Sequence, residues 1–265
     1  MSASTGSGTS ATTAARVAIV DDISAVRVWR LRLAIIVFFV VSWEALSASG
    51  LLFRDVVPSW VRIVRALFAL LSSADFYANL SVTAGEIGLA LLIGGVSGLA
   101  VGITLGANRF LSHAFEALLL YLGPTPKIIF FPVMIMWFGV GTGSKIAMGA
   151  LSCFFPIAIS AAAGMRQIDR VLIRVGRSFR ATEWHMVTKI YLPAMREPII
   201  NGIRLGLGVA IVGTLLAETK LSNKGLGYLV IQAYALFDMP KMYALVIVLF
   251  VLAVGANVLL GRLKR

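Results

Sequence analysis

Runs of about twenty apolar residues recur along the chain, and this repetition limits its fold more than any other feature. The first is "LAIIVFFVVSWEALSASGLL" at 33–52, and a glycine-rich run follows at 80–106. A third, at 115–138, is interrupted by Pro124, Pro126 and Pro132, and further runs lie at 146–165, 198–218 and 242–260. A helix rising 1.5 Å per residue needs about 20 residues to cross a hydrocarbon slab ~30 Å thick. The alternating ten-residue segments of a membrane barrel are not visible. With 14% charged residues and a mean hydropathy of +0.91, a soluble core of this length would lack polar cover. The chain therefore reads as all-α, a polytopic membrane protein with about six transmembrane helices.

The formal net charge of +12 raises a nucleic-acid partner as one reading, but the distribution of the charge speaks against it. Lys and Arg concentrate in the leader (Arg16, Arg27, Arg30, Arg32), at Arg109, in 166–196 and at the end (Arg262, Lys264, Arg265). Cytoplasmic loops carry such an excess, so both termini are expected inside, N-in and C-in, with no nucleic acid bound. Three segments are expected. Residues 1–32 form a disordered polar tail, up to about residue 15, and a basic juxtamembrane segment. Residues 33–262 form the transmembrane domain, and 263–265 a basic end. The tail lacks a basic stretch followed by an apolar core, so it does not read as a signal peptide. Between the first two spans, Pro58-Ser59 followed by apolar positions with Arg62 and Arg65 suggests an amphipathic helix at the outer interface.

Within the spans, Gly94, Gly98, Gly102 and Gly106 stand at steps of four. Small residues at that spacing let a second helix approach closely, and Gly202, Gly206 and Gly208 suggest the same. Intramembrane carboxylates are costly and often functional. Glu44 falls near mid-span and would need a partner, whereas Glu86, Glu116 and Glu218 fall near span ends and read as interfacial. Lys127, after the Pro-x-Pro break, faces a cavity open to anions or reaches back to the interface. The lone Cys153 forms no intramolecular disulfide. With only His113 and His185 besides, no metal site is expected.

The long loop at 166–195 is polar and cationic. Val171, Leu172, Val175 and Phe179 recur at helical spacing between arginines, and Thr182-Glu183 reads as the cap of a second short helix. Such a helix–turn–helix suits docking to a partner, or resting on lipid headgroups.

Here the sequence resembles the membrane permease subunits of binding-protein-dependent ABC importers. Their loop carries E-A-A, then Gly, then I-x-L-P. Ile190-Tyr191-Leu192-Pro193 matches the end of that pattern, and Ala181-Thr182-Glu183-Trp184 looks like its A-S-x-W. Arg174-Val175-Gly176 stands where E-A-A would be, and Arg180 where the Gly would be. Glycine accepts a positive φ cheaply and arginine does not, so either this turn stays right-handed or Arg180 is strained. A second, stronger likeness is "LGPTPKIIFFPVMIMWFGVGTGSKI", which resembles a segment of the nitrate/sulfonate/taurine branch. Pro124, Pro126, Pro132, Trp137, Phe138, Gly139 and Gly141 all fall in place.

What the resemblance implies is a permease of the bacterial cytoplasmic (inner) membrane, not itself an enzyme. It implies cytoplasmic ABC ATPase subunits, a periplasmic or surface-tethered substrate-binding protein and a second permease copy, embedded together in the lipid membrane. Arg174, Val175, Gly176, Arg180, Ala181, Thr182, Trp184, Ile190, Leu192 and Pro193 would form the coupling loop. Pro124, Pro126, Lys127, Pro132, Trp137 and Glu218 are candidates for pathway and gate. No G-x-x-x-x-G-K-[ST] occurs, so no cofactor is expected on this chain, with ATP and Mg on the partner ATPase. The substrate would be a small anion such as a sulfonate, taurine or nitrate. An ion-coupled secondary transporter using intramembrane glutamates is the rival reading, and it lacks the paired, interrupted halves such a protein would show.

Overall fold

A computed structural model describes residues 8–50 and 56–262, with side chains from Arg27 onward. The expected basic end at 263–265 and the first seven residues of the tail lie outside this range. Every regular element among the described residues is helical. Helix α1 (Gly8–Ser49) begins well inside the segment whose composition predicts a disordered tail. Alanines at 11, 14, 15 and 18 account for this, being the strongest helix formers.

The chain divides into two compact units at Ile63/Val64. In the first, the Trp43 indole donates to the Pro58 carbonyl (3.0 Å) and stacks at a tilt on Trp60, with centroids 5.8 Å apart. Glu44, expected to need a buried partner, is exposed and accepts the Trp60 backbone N–H at 3.1 Å. The amphipathic helix expected after Pro58 forms as α2 (Trp60–Leu71).

The second unit is built around parallel and antiparallel packing of small residues. Helix α3 (Ala74–Ala107) is followed by α4 (Arg109–Leu122), a 3-10 turn (Lys127–Phe130), α5 (Phe131–Phe138) and α6 (Thr142–Arg166). A Cβ added at Gly94, Gly98, Gly102 or Gly106 would come within 3.0 Å of the carbonyl oxygen of Ala150, Phe154, Ala158 or Ala162 respectively. Steps of four on one helix thus meet steps of four on the other. The two backbones run in the same direction in direct contact, as the glycine spacing predicts.

The loop after α6 folds as α7 (Arg170–Ser178) and a second helical stretch. That stretch comprises α8 (Glu183–His185), a π turn (Met186–Tyr191) and α9 (Leu192–Ala194). Helix α10 (Arg196–Lys220) then returns antiparallel to α6, with Gly206 against Ile157 and Gly213 against Ser152. A short apolar helix, α11 (Leu226–Ala235), and α12 (Met239–Arg262) complete the unit. Arg204 of α10 grips the Asn257 side chain of α12 through Nε (3.2 Å) and Nη2 (3.0 Å).

Among the described residues, five helices are long and apolar enough to cross a membrane, or six when the bent pair α4 and Lys127–Phe138 counts as one. The bend is 93°, and Pro124 and Pro126 occupy it, as the sequence leads one to expect. The starts of α3, α6 and α12 and the end of α10 share one end of the bundle. The α7–α9 segment forms the other, called the loop end below.

Candidate functional site

The α7–α9 segment is built by two opposed helix signals. Asp169 caps α7, its Oδ1 accepting the Val171 N–H (2.8 Å), and Thr182 caps α8, accepting the His185 N–H (3.3 Å). Between them the chain turns at Arg180, whose φ is +51°. The Ala181 N–H bonds the Gly176 carbonyl (3.1 Å) and the Arg180 N–H bonds that of Arg177 (2.9 Å). That pair of bonds is a Schellman cap. The turn is therefore left-handed, at the position where the resembled pattern carries glycine, and Arg180 adopts it at a cost of about 1–2 kcal/mol.

The coupling-loop candidates separate into two groups. Gly176 is buried, and a Cβ there would strike Ile190 and Met186. Ile190 and Ala181 are partly buried against a cluster of Met165, Ile168, Met186, Tyr191 and Met195. Leu192 is half-buried and Pro193 exposed. Pro193 lacks an N–H and its ring crowds the carbonyl four residues back, which accounts for the wide π turn just before it. These residues, with the Thr182 cap, hold the two helices together.

The second group faces away. Val175, Val171, Leu172, Phe179 (82% exposed) and Trp184 (72% exposed) leave an apolar surface uncovered. Arg174 and Arg180 lie beside it, and among the described residues the Arg174 side chain has no partner. Sequence periodicity identifies both short helices, but not which apolar positions turn inward. Val171, Leu172, Val175 and Phe179 point out, while Ile173 and Gly176 point in.

The pathway candidates surround the broken span. Pro124 and Pro126 lie in the bend and Pro132 in the first turn of α5. The Lys127 ammonium bonds the Gly123 carbonyl, lies 3.3 Å from the Thr125 carbonyl and sits 5.0 Å above the Phe155 ring. It thus reaches the orphan carbonyls at the end of α4, which neither of the two expectations for it anticipated. Gly139 ends α5 at φ +76°, so the Gly of the Trp-Phe-Gly motif answers a left-handed turn. One face of α5 packs through Phe131 on Met148 and Ala217, and the other leaves Met136 and Trp137 exposed.

Glu218, near the end of α10 as expected, is fully buried within the protein. Its Oε1 accepts from the Thr83 hydroxyl (2.7 Å) and its Oε2 from the Gly227 N–H (2.6 Å). Thr83 in turn accepts the Leu226 N–H (2.8 Å), and Asn79 the Gly225 N–H (2.7 Å). Three successive orphan N–H groups at the start of α11 are thus met by side chains from α3 and α10. A Cβ at Gly225, where φ is +103°, would collide with the Glu218 carboxylate. Glu86, also buried, lies beside Glu218 within hydrogen-bonding reach, with Lys145 near enough to attract both. Lys145 is 2% exposed and bonds the carbonyls of Val140 and Gly141. Sequence reading missed Lys145, Thr83 and Asn79. Only the pairing of distant positions could have found them.

Residues 94–265 match the family described as binding-protein-dependent transport system inner membrane component. The chain belongs to that family. The permease is 31% identical over 221 residues to a putative aliphatic sulfonates transport permease protein, SsuC, of Bacillus subtilis, covering 83% of this chain and 80% of the relative. It is 30% identical over 194 residues to the taurine transport system permease protein TauC of Escherichia coli, covering 72% and 70%. Its fold is also that of a chain of the MetNI methionine ABC transporter in an inward-facing form. There the TM-score is 0.60 at 20% identity, over 77% of this chain and 94% of that one. The permease is thus a multi-pass membrane subunit of an ABC importer. It is a transport component rather than an enzyme, and its family implies ATPase and substrate-binding partners.

Proposed function

We propose that this permease forms the pathway of an ATP-driven importer of the bacterial inner membrane for small anions of the sulfonate or taurine kind. Two copies, with both termini inside, pair with two ABC ATPases that hold ATP and Mg, and a binding protein outside delivers the substrate. The observation that carries this reading is the uncovered apolar face of Val175, Phe179 and Trp184, rimmed by Arg174 and Arg180 and held out by a Schellman turn. An aromatic anchor beside unpaired guanidinium groups is what a partner's groove with an acidic rim would take up. The exposed Trp137 face of α5 supports a second copy or a pathway lining.

The test is co-expression with the cognate ATPase and reconstitution in vesicles. Native mass spectrometry should count two permeases and two ATPases, and binding protein with substrate should stimulate hydrolysis. Trp184→Ala should abolish that stimulation while the permease stays folded. Normal coupling in this variant would remove the docking face from the proposal.

A further inference from the structure

A cleft of about 960 Å³ opens at the loop end, between the start of α4 and the junction of α6 with α7. Arg109, His113, Arg166, Arg170 and Arg177 line it, and Glu116 is its one carboxylate. Glu116 is already engaged, accepting from Arg166 Nη1 (2.5 Å) and from the Ser112 hydroxyl (2.8 Å). Asp169, next to Arg170, has an oxygen committed to the cap of α7. Among the described residues, Arg109, Arg170 and Arg177 make no side-chain hydrogen bond or ion pair. The start of α4 contributes little by itself, because Asn108 Oδ1 already takes the N–H groups of Phe110 (2.9 Å) and Leu111 (3.3 Å). Several guanidinium groups around one cavity, with a single spoken-for acid, form an arrangement that attracts anions strongly.

We infer that this cleft is a binding site for a tetrahedral oxyanion, phosphate or sulfonate in kind. Arg109, Arg170 and Arg177 converge on the anion, and Arg166 is shared between it and Glu116. Both an anionic lipid headgroup and a free sulfonate present this chemistry. Neither Arg174 nor Trp184 lines the cleft, and anion binding is read on the permease without any ATPase. A failed ATPase assembly would therefore leave this inference untouched.

The full chain, purified in uncharged detergent, tests it. Native mass spectrometry would compare retained phosphatidylglycerol with phosphatidylcholine. Thermal-shift titration would compare sodium sulfate and an alkanesulfonate with sodium chloride at matched ionic strength. Selective retention of phosphatidylglycerol assigns the site to lipid, and a sulfate or sulfonate shift in lipid-free protein assigns it to a solute; either supports the site. The double variant R170Q/R177Q should weaken the selected ligand about tenfold or more. E116Q, which frees Arg166, should tighten it several-fold, an effect that misfolding would not produce. No preference over chloride and phosphatidylcholine, an unchanged affinity in R170Q/R177Q, or weaker binding by folded E116Q would each overturn the inference.

Discussion

The two ends of the bundle handle charge in opposite ways. Away from the loop, Glu86, Glu218 and Lys145 are all under 5% exposed, and the oxygens of Glu218 are bonded to α3 and α11. At the loop end Arg174, Arg170 and Arg177 lie exposed and unpaired among the described residues. A buried charge is tolerable only when it is paired or hydrogen-bonded; Glu218 and Lys145 meet this through bonds within the unit, while Glu86 leaves Oε2 without one among the described residues. Surface charge without partners contributes little to folding and is free to meet another molecule. One end uses charge to hold a helix in place, and the other offers it to partners.

The sharpest way to break this contrast is Glu218→Ala. It leaves the Gly227 N–H and the Thr83 hydroxyl without an acceptor in a buried site, and about 3–5 kcal/mol should be lost. Thermal denaturation in detergent should show the largest fall of any single change described here, with Glu218→Gln intermediate. Full stability in Glu218→Ala would mean that this end is not pinned by its charges.

Next in size is Arg174→Glu, which should leave thermal stability within about 0.5 kcal/mol. If Arg174 is buried against an acid on the docked ATPase, assembly should weaken by about 2–5 kcal/mol. An acid-to-Lys change on the ATPase should recover part of this. Affinity measured between purified subunits decides it, and unchanged binding places Arg174 at the rim or outside the contact. Smaller again is Arg180→Gly, which relieves the positive φ at the turn. It should raise stability by up to about 1 kcal/mol, since glycine carries more freedom in the unfolded chain and returns part of the gain. A loss of stability there would show that the Arg180 side chain makes a contribution its exposure conceals.

The smallest effect is expected at Glu86→Gln. Glu86 Oε2 accepts no hydrogen bond among the described residues, and a carboxamide still offers a donor to Glu218. Melting should move by less than the equivalent of about 1 kcal/mol. A collapse comparable to Glu218→Ala would make the pair, rather than Glu218 alone, the pin.

What sequence reveals here depends on the range of the interaction. The spans, the proline break and the cap at Thr182 are set by neighbours a few residues apart, and all were legible; the cap at Asp169 is equally local but emerged only from the structure. At Arg180 the sequence left two outcomes open, a right-handed turn or a strained residue, and the structure shows the second, with φ +51°. The glycine row in α3 announced a close helix contact but not which helix would fill it. The carboxylates were misjudged because their surroundings are supplied from far along the chain. Glu218 is enclosed by Thr83 and Gly227 on other helices, whereas Glu44, central in its apolar run, is exposed. Position within an apolar run says how far a residue is from the run's ends. It does not say which neighbour the residue meets.

The row of contacts from Gly94 to Gly106 bears on how such a subunit can move. A carbonyl oxygen of α6 faces each of the four glycines closely, with the side chains of Cys153, Ile157, Ala161 and Met165 packed beside them. Sliding by one residue would drive a bulkier neighbour into a carbonyl, so α3 and α6 behave as a single strut. Bending within this unit is easier at the joints beside that pair than within it. Those joints are the proline corner at 123–126 and the glycine pair Gly139 and Gly141. Both belong to the broken span, which lacks the close glycine row that ties α3 to α6.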